Sequence, residues 1–493
     1  MPTLRESVGS VVDKLLSGVT VERVRASKLI RDALTATTIY EKHEISLLDL
    51  PIIQRLRRVH QTALAFLTYP CATHNRFQHT LGVMNIVDKL AKAFQQRYPK
   101  LMGLETLQEL RIAAMLHDVG QGPFSHASEE IMEHMGDVKS ALADPKFSKI
   151  QGKPHEMLSY LIITSDGFKR IIRDINRLHN VNIDVDRVAD MIVGDMSNPN
   201  EQGYISDFIN GPFDADKLDY MPRDAYFSGL KMDIDLDRIA YTCHVDERGF
   251  AYPRRLCADI SGAHNLEQIL FNKVLLYASI YHHHKTRAAV CMLRSIFEIV
   301  QDRKLIIDGL TFQDAADFLL VDDYDVLSSF RRHPELADAI ENLKNRRMLK
   351  RALVISRKTV TDPMKLERLI GKMEDPDQLK KLRILITNEI NKNGGKCGVY
   401  DIWVDFPDPP SLREPSQCYV RMAKDEYVLL KDVFPADWWL TAYGETKWKG
   451  HVFCPPQTQL RTLANEAAIK VLKSQFGVEV LPSATKLAKI SDE

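Results

Sequence analysis

The run Arg111-Ile-Ala-Ala-Met-Leu-His-Asp-Val-Gly-Gln-Gly-Pro-Phe-Ser-His126 constrains this chain more than any other stretch. An apolar helical run ends in the adjacent pair His117-Asp118, and Gly120, Gly122 and Pro123 stop that helix before Ser125-His126 opens the next. An imidazole and a carboxylate are thereby fixed side by side at a helix end, against an apolar wall that can exclude water. Metal sites are built in this way. The dipeptide alone carries little weight, because on the order of one His-Asp pair is expected by chance in a chain with 16 histidines.

Its weight comes from company. His79 lies 38 residues upstream in Arg76-Phe-Gln-His79-Thr-Leu-Gly-Val83, and Asp216 lies downstream in Asp214-Ala-Asp216-Lys-Leu-Asp-Tyr220. Two imidazoles and two carboxylates form a nitrogen and oxygen donor set suited to a borderline divalent ion such as Fe, Mn, Zn or Ni, with positions left for water or a phosphate oxygen. No thiolate belongs to this set, so a cysteine-type zinc site is not indicated. Arg76 precedes His79 by three residues, which places both on one helical face, and a guanidinium beside a metal suits the oxygens of a polyphosphate.

The bulk of the chain sets outer bounds. A length of 493 residues predicts two or more domains, and 45% hydrophobic residues suffice for a large core. Sixty-six basic residues balance sixty-six acidic ones, so any anion site must be local. Seven cysteines without a CxxC pair suit a reducing cytoplasm. The start has no signal-peptide pattern, and no run approaches the eighteen or so apolar residues of a membrane span. Residues 1–45 read as a helical extension, 137–153 as a polar loop, and 231–260 as containing a hairpin around Gly249–Pro253. One long helical segment is expected over 261–302 and two more helices over 311–352. Strands are expected at Ala352–Ser356 and Tyr400–Phe406, a proline-rich connection at Pro407–Pro415, a hairpin at Tyr419–Leu430, and a last helix over 458–476 before a polar tail.

The sequences RFQHTLGV at 76–83, HDVGQGPFSH at 117–126 and DADKLDYMPRD at 214–224 resemble the HD superfamily of metal-dependent phosphohydrolases. Within it they are most similar to the deoxynucleoside triphosphate triphosphohydrolases, here without the sterile-alpha-motif module that precedes the mammalian member. The resemblance covers roughly residues 45–295. It implies a mainly α fold: an HD helical core over 46–352, preceded by the extension and followed by a smaller C-terminal α+β lobe over 353–493. It implies that His79, His117, Asp118 and Asp216 hold one transition-type ion, and that Mg²⁺ accompanies the triphosphate. His126 takes the place of the general acid, Glu129 that of its supporting carboxylate, and His155 with Glu156 that of a second pair near the attacking water. Gln61, Arg76, Lys217, Tyr220, Asp224 and His282 fall at substrate-binding positions.

The same resemblance places a regulatory GTP or dNTP at Asp49, Gln54 and Arg57, in the motif D-x-P-x-x-Q-R-L-R, and at His284, Lys285, Arg346 and Lys350. By residue type alone these charges read as solvated helix faces. The chain departs from the family at Gln121, where a histidine is usual, and at Val274 and Ala278, where an arginine and a histidine are usual. Glutamine can orient water or a phosphate oxygen but cannot exchange a proton near neutral pH.

The reading is therefore a dNTP triphosphohydrolase, nucleotide-activated and assembled as a tetramer or hexamer. Two alternatives stay open. One is a dinuclear HD phosphodiesterase or nucleotidase that recruits His126 or His155 as an extra ligand. The other is a nucleotide-sensing or nucleic-acid-binding protein in which Gln121 marks lost hydrolysis, with Arg346 and Lys350 as the local basic patch.

Overall fold

The computed structural model describes residues 2–148, 153–194, 203–246, 254–408, 417–424, 426–435, 438, 442–443 and 446–490. Helices dominate, and three of them carry the motifs. The helix Arg76–Arg97 starts at a capping box in which the Asn75 side chain accepts from the Gln78 N–H and the Gln78 side chain accepts from the Asn75 N–H, both at 3.0 Å. It packs against Leu104–Leu116, which delivers His117-Asp118, and against Ala215–Ser228, which delivers Asp216. Asp214 caps the last of these by accepting from the Lys217 N–H, and Gly229, at φ +78°, ends it in the left-handed conformation that glycine adopts without strain. Buried Met84, Val87, Ile112, Met115, Leu218 and Met221 make the three helices one apolar unit.

The turn after His117-Asp118 is tight because it must be. A Cβ on Gly120 would lie 2.5 Å from the His155 carbonyl oxygen and 2.5 Å from the Ser159 nitrogen, so only glycine lets this loop touch the helix Pro154–Ile163. Phe124 and Ser125 follow at φ +56° and +49°, a conformation that costs a non-glycine residue about 1–3 kcal/mol unless its surroundings hold it. The helix His126–Met132 then begins.

Several expectations need correction. Residues 1–45 are helical at Leu4–Leu15, but β1 (Lys28–Asp32) and β2 (Ala36–Tyr40) form an antiparallel hairpin, anchored to the helices where Asp32 accepts from Arg223, the Thr35 carbonyl accepts from the Asn85 side chain and the Tyr40 hydroxyl donates to the Leu81 carbonyl. The segment 137–153 is not simply a loop: Gly136–Leu142 and Pro145–Ser148 are helices, the first held by an Asp137 carboxylate that accepts from the Ala315 N–H. The long helix over 261–302 is broken. Ala263–Leu276 passes into a π turn at Tyr277–Tyr281, and His284–Asp302 starts afresh with His283 as its cap. The three consecutive histidines straddle that break. Over 311–352 a 3-10 turn, Ala315–Leu320, precedes the helices Asp323–Arg332 and Ala337–Lys344. The polar tail holds one more short helix, Pro482–Ala488.

In the C-terminal region β5 (Lys350–Ile355) starts two residues earlier than expected, inside the core as drawn from sequence. β3 (Cys243–Val245) and β4 (Leu256–Asp259) are the expected hairpin, whose turn at 249–253 lies outside the described residues, as does most of the proline-rich connection. With β6 (Trp403–Asp405), β7 (Tyr419–Ala423), β8 (Glu426–Leu429) and β9 (Gly450–Cys454), two sheets are completed. The order β5-β9-β6 is antiparallel and packs on Pro376–Lys392 and Thr458–Phe476 around its own apolar core. The hairpin β7-β8 instead returns to the helical core, where β7 pairs in parallel with β4. No described helix is long and apolar enough to cross a membrane.

Candidate metal centre and active site

His79, His117, Asp118 and Asp216 converge. His79 Nε2 lies 2.9 Å from Asp216 Oδ1 and 3.6 Å from Asp118 Oδ2, and His117 Nε2 lies 3.8 Å and 3.4 Å from the same two atoms. His79, His117 and Asp118 each present a ligand atom within 4.8 Å of the others, the one such group of three among the described residues. The tautomers follow from the other ring nitrogens: His79 Nδ1–H donates to Asp219 at 2.8 Å and His117 Nδ1–H donates to the Ala114 carbonyl at 2.8 Å. Both Nε2 atoms are buried and neither makes a well-directed hydrogen bond, although His79 Nε2 is near a carboxylate. Two imidazole lone pairs facing two carboxylates repel unless a cation lies among them, and the donor set fits a divalent ion.

Without an ion, a proton on His79 Nε2 can supply the positive charge between the imidazole and Asp216. Burial alone would pull the His79 imidazolium down, but hydrogen bonds and charge from Asp216 and Asp219 hold it up to about 9. Burial would raise Asp118 and Asp216. Arg76 and the nearby histidines hold Asp118 well below the usual carboxylate range, and His79 followed by His117 does the same for Asp216.

A second layer fixes the ligands. Asp219, which orients His79, is gripped by Arg223 at 2.7 and 2.9 Å, and Arg223 reaches Asp32 of β1 at 2.8 Å. Arg223 and the carboxylate of Asp32 attract each other strongly enough to bring Asp32 down to about 2 against the effect of burial. A Cβ at Gly82 would fall 1.9 Å from Asp219 Oδ1, so glycine is needed there to admit the pair. Arg76 donates through Nη1 to Asp118 Oδ2 at 2.6 Å and through Nε to Ser125 Oγ at 2.9 Å. Its third nitrogen, Nη2, is buried without a partner.

Beside the quartet, Glu129 joins two histidines. It accepts from His126 Nδ1 at 2.5 Å, from His155 Nδ1, and from the Gln121 side-chain amide at 3.2 Å. Against burial, His155 and His126 hold Glu129 well below the ordinary carboxylate range, and Glu129 in turn raises His155. His155 Nε2 lies 3.6 Å from Asp118 Oδ1, and the His126 side chain is 54% exposed, so His126 can meet an incoming ligand. Gln121 is fully buried and braces Glu129, which gives the glutamine a role that needs no proton.

The remaining expected residues are spread more widely. Gln61 is buried with its Oε1 unpartnered, and Lys217 turns its ammonium to the Gly211 carbonyl at 2.9 Å and to Asp214. Tyr220 packs partly buried against the core. Both Asp224 oxygens are taken, one by His74 Nε2 at 2.7 Å and the other by the Tyr281 hydroxyl of the π turn. His282 is lowered to about 4 by burial and then by Arg287, which also binds Glu130 and Asp405. Asp49 is exposed, 4.0 Å from Lys28, while Gln54 accepts from Arg57, whose guanidinium lies 3.7 Å above Phe77. His284, Lys285, Arg346 and Lys350 instead line one cleft of about 280 Å³ with Arg351, Arg461 and Lys489. Six cationic residues and no acidic one line this cleft.

Sequence reasoning gave no role to Asp219, although it lies at the i+3 position from Asp216 where a helix brings it to the same face. Asp32, His74, Tyr281 and Arg287 were also missed, and nothing local in the sequence marks them.

Two buried histidines and two carboxylates carried by three helices, braced by outer carboxylates and set beside an arginine with a spare donor, make a site that could hold a divalent ion next to a phosphate oxygen. Residues 76–221 match the HD domain family, and residues 234–475 match the HD associated region. The chain belongs to the HD superfamily of phosphohydrolases. It is 26% identical to an uncharacterised protein of Methanocaldococcus jannaschii over 87% of this chain and 80% of that one. It is 26% identical to the deoxynucleoside triphosphate triphosphohydrolase SAMHD1 homolog of Dictyostelium discoideum over 66% of this chain and 60% of that one. It is also 26% identical to human deoxynucleoside triphosphate triphosphohydrolase SAMHD1, over 61% and 50%. The chain thus spans half to three fifths of the length of these two named relatives.

Proposed function

We propose that the protein hydrolyses deoxynucleoside triphosphates to deoxynucleoside and inorganic triphosphate. One observation carries this reading: three buried nitrogens, His79 Nε2, His117 Nε2 and Arg76 Nη2, surround the Asp118 carboxylate, and of the three only His79 Nε2 has a second carboxylate at hydrogen-bond distance, Asp216 at 2.9 Å. The first two ask for a cation, and the third asks for an anion beside it. His79, His117, Asp118 and Asp216 would hold the ion, which when bound acidifies water and offsets phosphate charge. Arg76 grips a phosphate oxygen through Nη2 without leaving Asp118 or Ser125. The α-phosphorus gains an oxygen from water, which releases a proton to solvent, and loses the bond to the 5′ oxygen; the proton that oxygen needs comes from His126, which is restored by a proton from solvent. Glu129 holds His126 by Nδ1, which leaves Nε2 to face the leaving group. The names of the Dictyostelium and human relatives support the substrate class.

Regulation belongs to the same proposal. The cationic cleft suits the phosphates of a GTP or dNTP activator, and a homo-oligomer, tetramer or hexamer, would follow the family. The test is product analysis with each of the four dNTPs, Mn²⁺ and GTP. Deoxynucleoside with triphosphate supports the reading. A monophosphate or diphosphate product would point to the dinuclear phosphodiesterase or nucleotidase, and bound, intact nucleotide to a sensor.

A further inference from the structure

The loop that follows His117-Asp118 is held from outside its own motif. Asp323, the first residue of the helix Asp323–Arg332, is 1% exposed and spends both oxygens on the active-site region. Its Oδ1 accepts from the Phe124 N–H at 2.6 Å, and its Oδ2 accepts from the His60 N–H at 2.9 Å and from His60 Nδ1 at 2.6 Å. Phe124 and Ser125 are the two strained residues of the loop. His60, so fixed, offers its carbonyl to the Ser125 hydroxyl at 2.6 Å, and that hydroxyl oxygen accepts from Arg76 Nε. Arg76 Nη1 is bonded to Asp118 Oδ2, the oxygen that lies near His79 and His117 Nε2. One unbroken chain of hydrogen bonds therefore runs from Asp323 through His60 and Ser125 to Arg76 and Asp118.

We infer that Asp323 is a positioning residue of the HD site: through His60 and the strained Phe124-Ser125 turn it sets the guanidinium of Arg76, and with it the Asp118 carboxylate. Without Asp323 the Phe124 and His60 N–H groups lose their acceptor; the Phe124 and Ser125 carbonyls and the Ser125 N–H keep their bonds to Ala127, Ser128 and Gly122, so the turn survives while its tie to His60 slackens. Ser125 Oγ then loses its fixed place, and Arg76 keeps one anchor instead of two. The inference rests on the proposed reading only for the task given to Arg76. Its test is metal binding, which needs no substrate.

Mn²⁺ affinity is measured for the full chain and for Asp323→Asn, Ser125→Ala, Arg76→Lys and the double variant Asp323→Asn/Arg76→Lys. Asp323→Asn and Ser125→Ala are expected to weaken Mn²⁺ binding about tenfold, the lower end of what loss of an outer partner does to a metal site. On the Arg76→Lys background, Asp323→Asn is expected to add less than twofold, because its effect passes through Arg76. Ser125→Ala, which leaves the Asp323 carboxylate in place, keeps the test alive should Asp323→Asn fail to fold. Mn²⁺ affinity within twofold of the parent in both single variants would overturn the inference. So would a full tenfold loss repeated on the Arg76→Lys background, which marks a merely structural role. Absence of dNTP hydrolysis in the parent would refute the proposed function and leave this measurement intact.

Discussion

Gly82→Ala is a small change that strikes the metal centre at one remove. The added methyl carbon would fall 1.9 Å from Asp219 Oδ1 and 2.3 Å from Arg223 Nη2. Neither side chain can swing away, because both are buried, Arg223 is also tied to Asp32, and Asp219 is also tied to His79. Overpacking of a tight core costs about 1–3 kcal/mol. Displacing Asp219 from His79 forfeits a charge-assisted hydrogen bond worth about 1.5–3 kcal/mol, so a total loss of about 2.5–6 kcal/mol is expected. The imidazole would also lose the partner that fixes its tautomer, and metal affinity should fall about 10- to 100-fold. Chemical denaturation and Mn²⁺ titration of the parent and the variant measure the two effects. A stability change below about 0.5 kcal/mol with unchanged Mn²⁺ affinity would refute the reasoning, since a methyl group would then have found room where none is shown.

Three further outcomes follow from the same geometry. His126→Gln should lower kcat about 10²- to 10⁴-fold with metal content unchanged, as loss of a proton donor does, and steady-state kinetics with elemental analysis checks both parts. Burial holds His451 down to about 3 and His244 and His282 down to about 4. Each takes up a proton near pH 6.5 once unfolded, so this stability is present above pH 6.5 and is lost as pH falls towards 4. The Tm should drop between pH 7 and pH 5, and His451→Gln should flatten that drop. Arg346→Glu with Lys350→Glu should abolish triphosphate binding in the cationic cleft while leaving metal content intact, as isothermal titration would show.

The convergence of His79, His117, Asp118 and Asp216 was legible in the sequence because each stands at a helix end or first turn with glycine, proline or capping residues around it. The contact between His126 and Glu129 was legible for a similar reason, at i and i+3 of one helix. What lay hidden comes from far away along the chain. Asp32 reaches Arg223 across 191 residues, Asp323 reaches Phe124 across 199, and Arg287 reaches Asp405 across 118. No spacing rule links such pairs. The hairpin β1-β2 was missed because its strands expose Leu29 and Ile39 and so lack an alternating apolar face. The break at His282-His283 was missed because a π turn leaves apolar periodicity nearly intact on either side.

Elemental analysis of the purified protein tests the central claim most directly. One transition-type divalent ion per chain, lost together in His117→Ala and Asp216→Asn, is the predicted result. Two ions per chain, or an ion that survives both substitutions, would contradict the account.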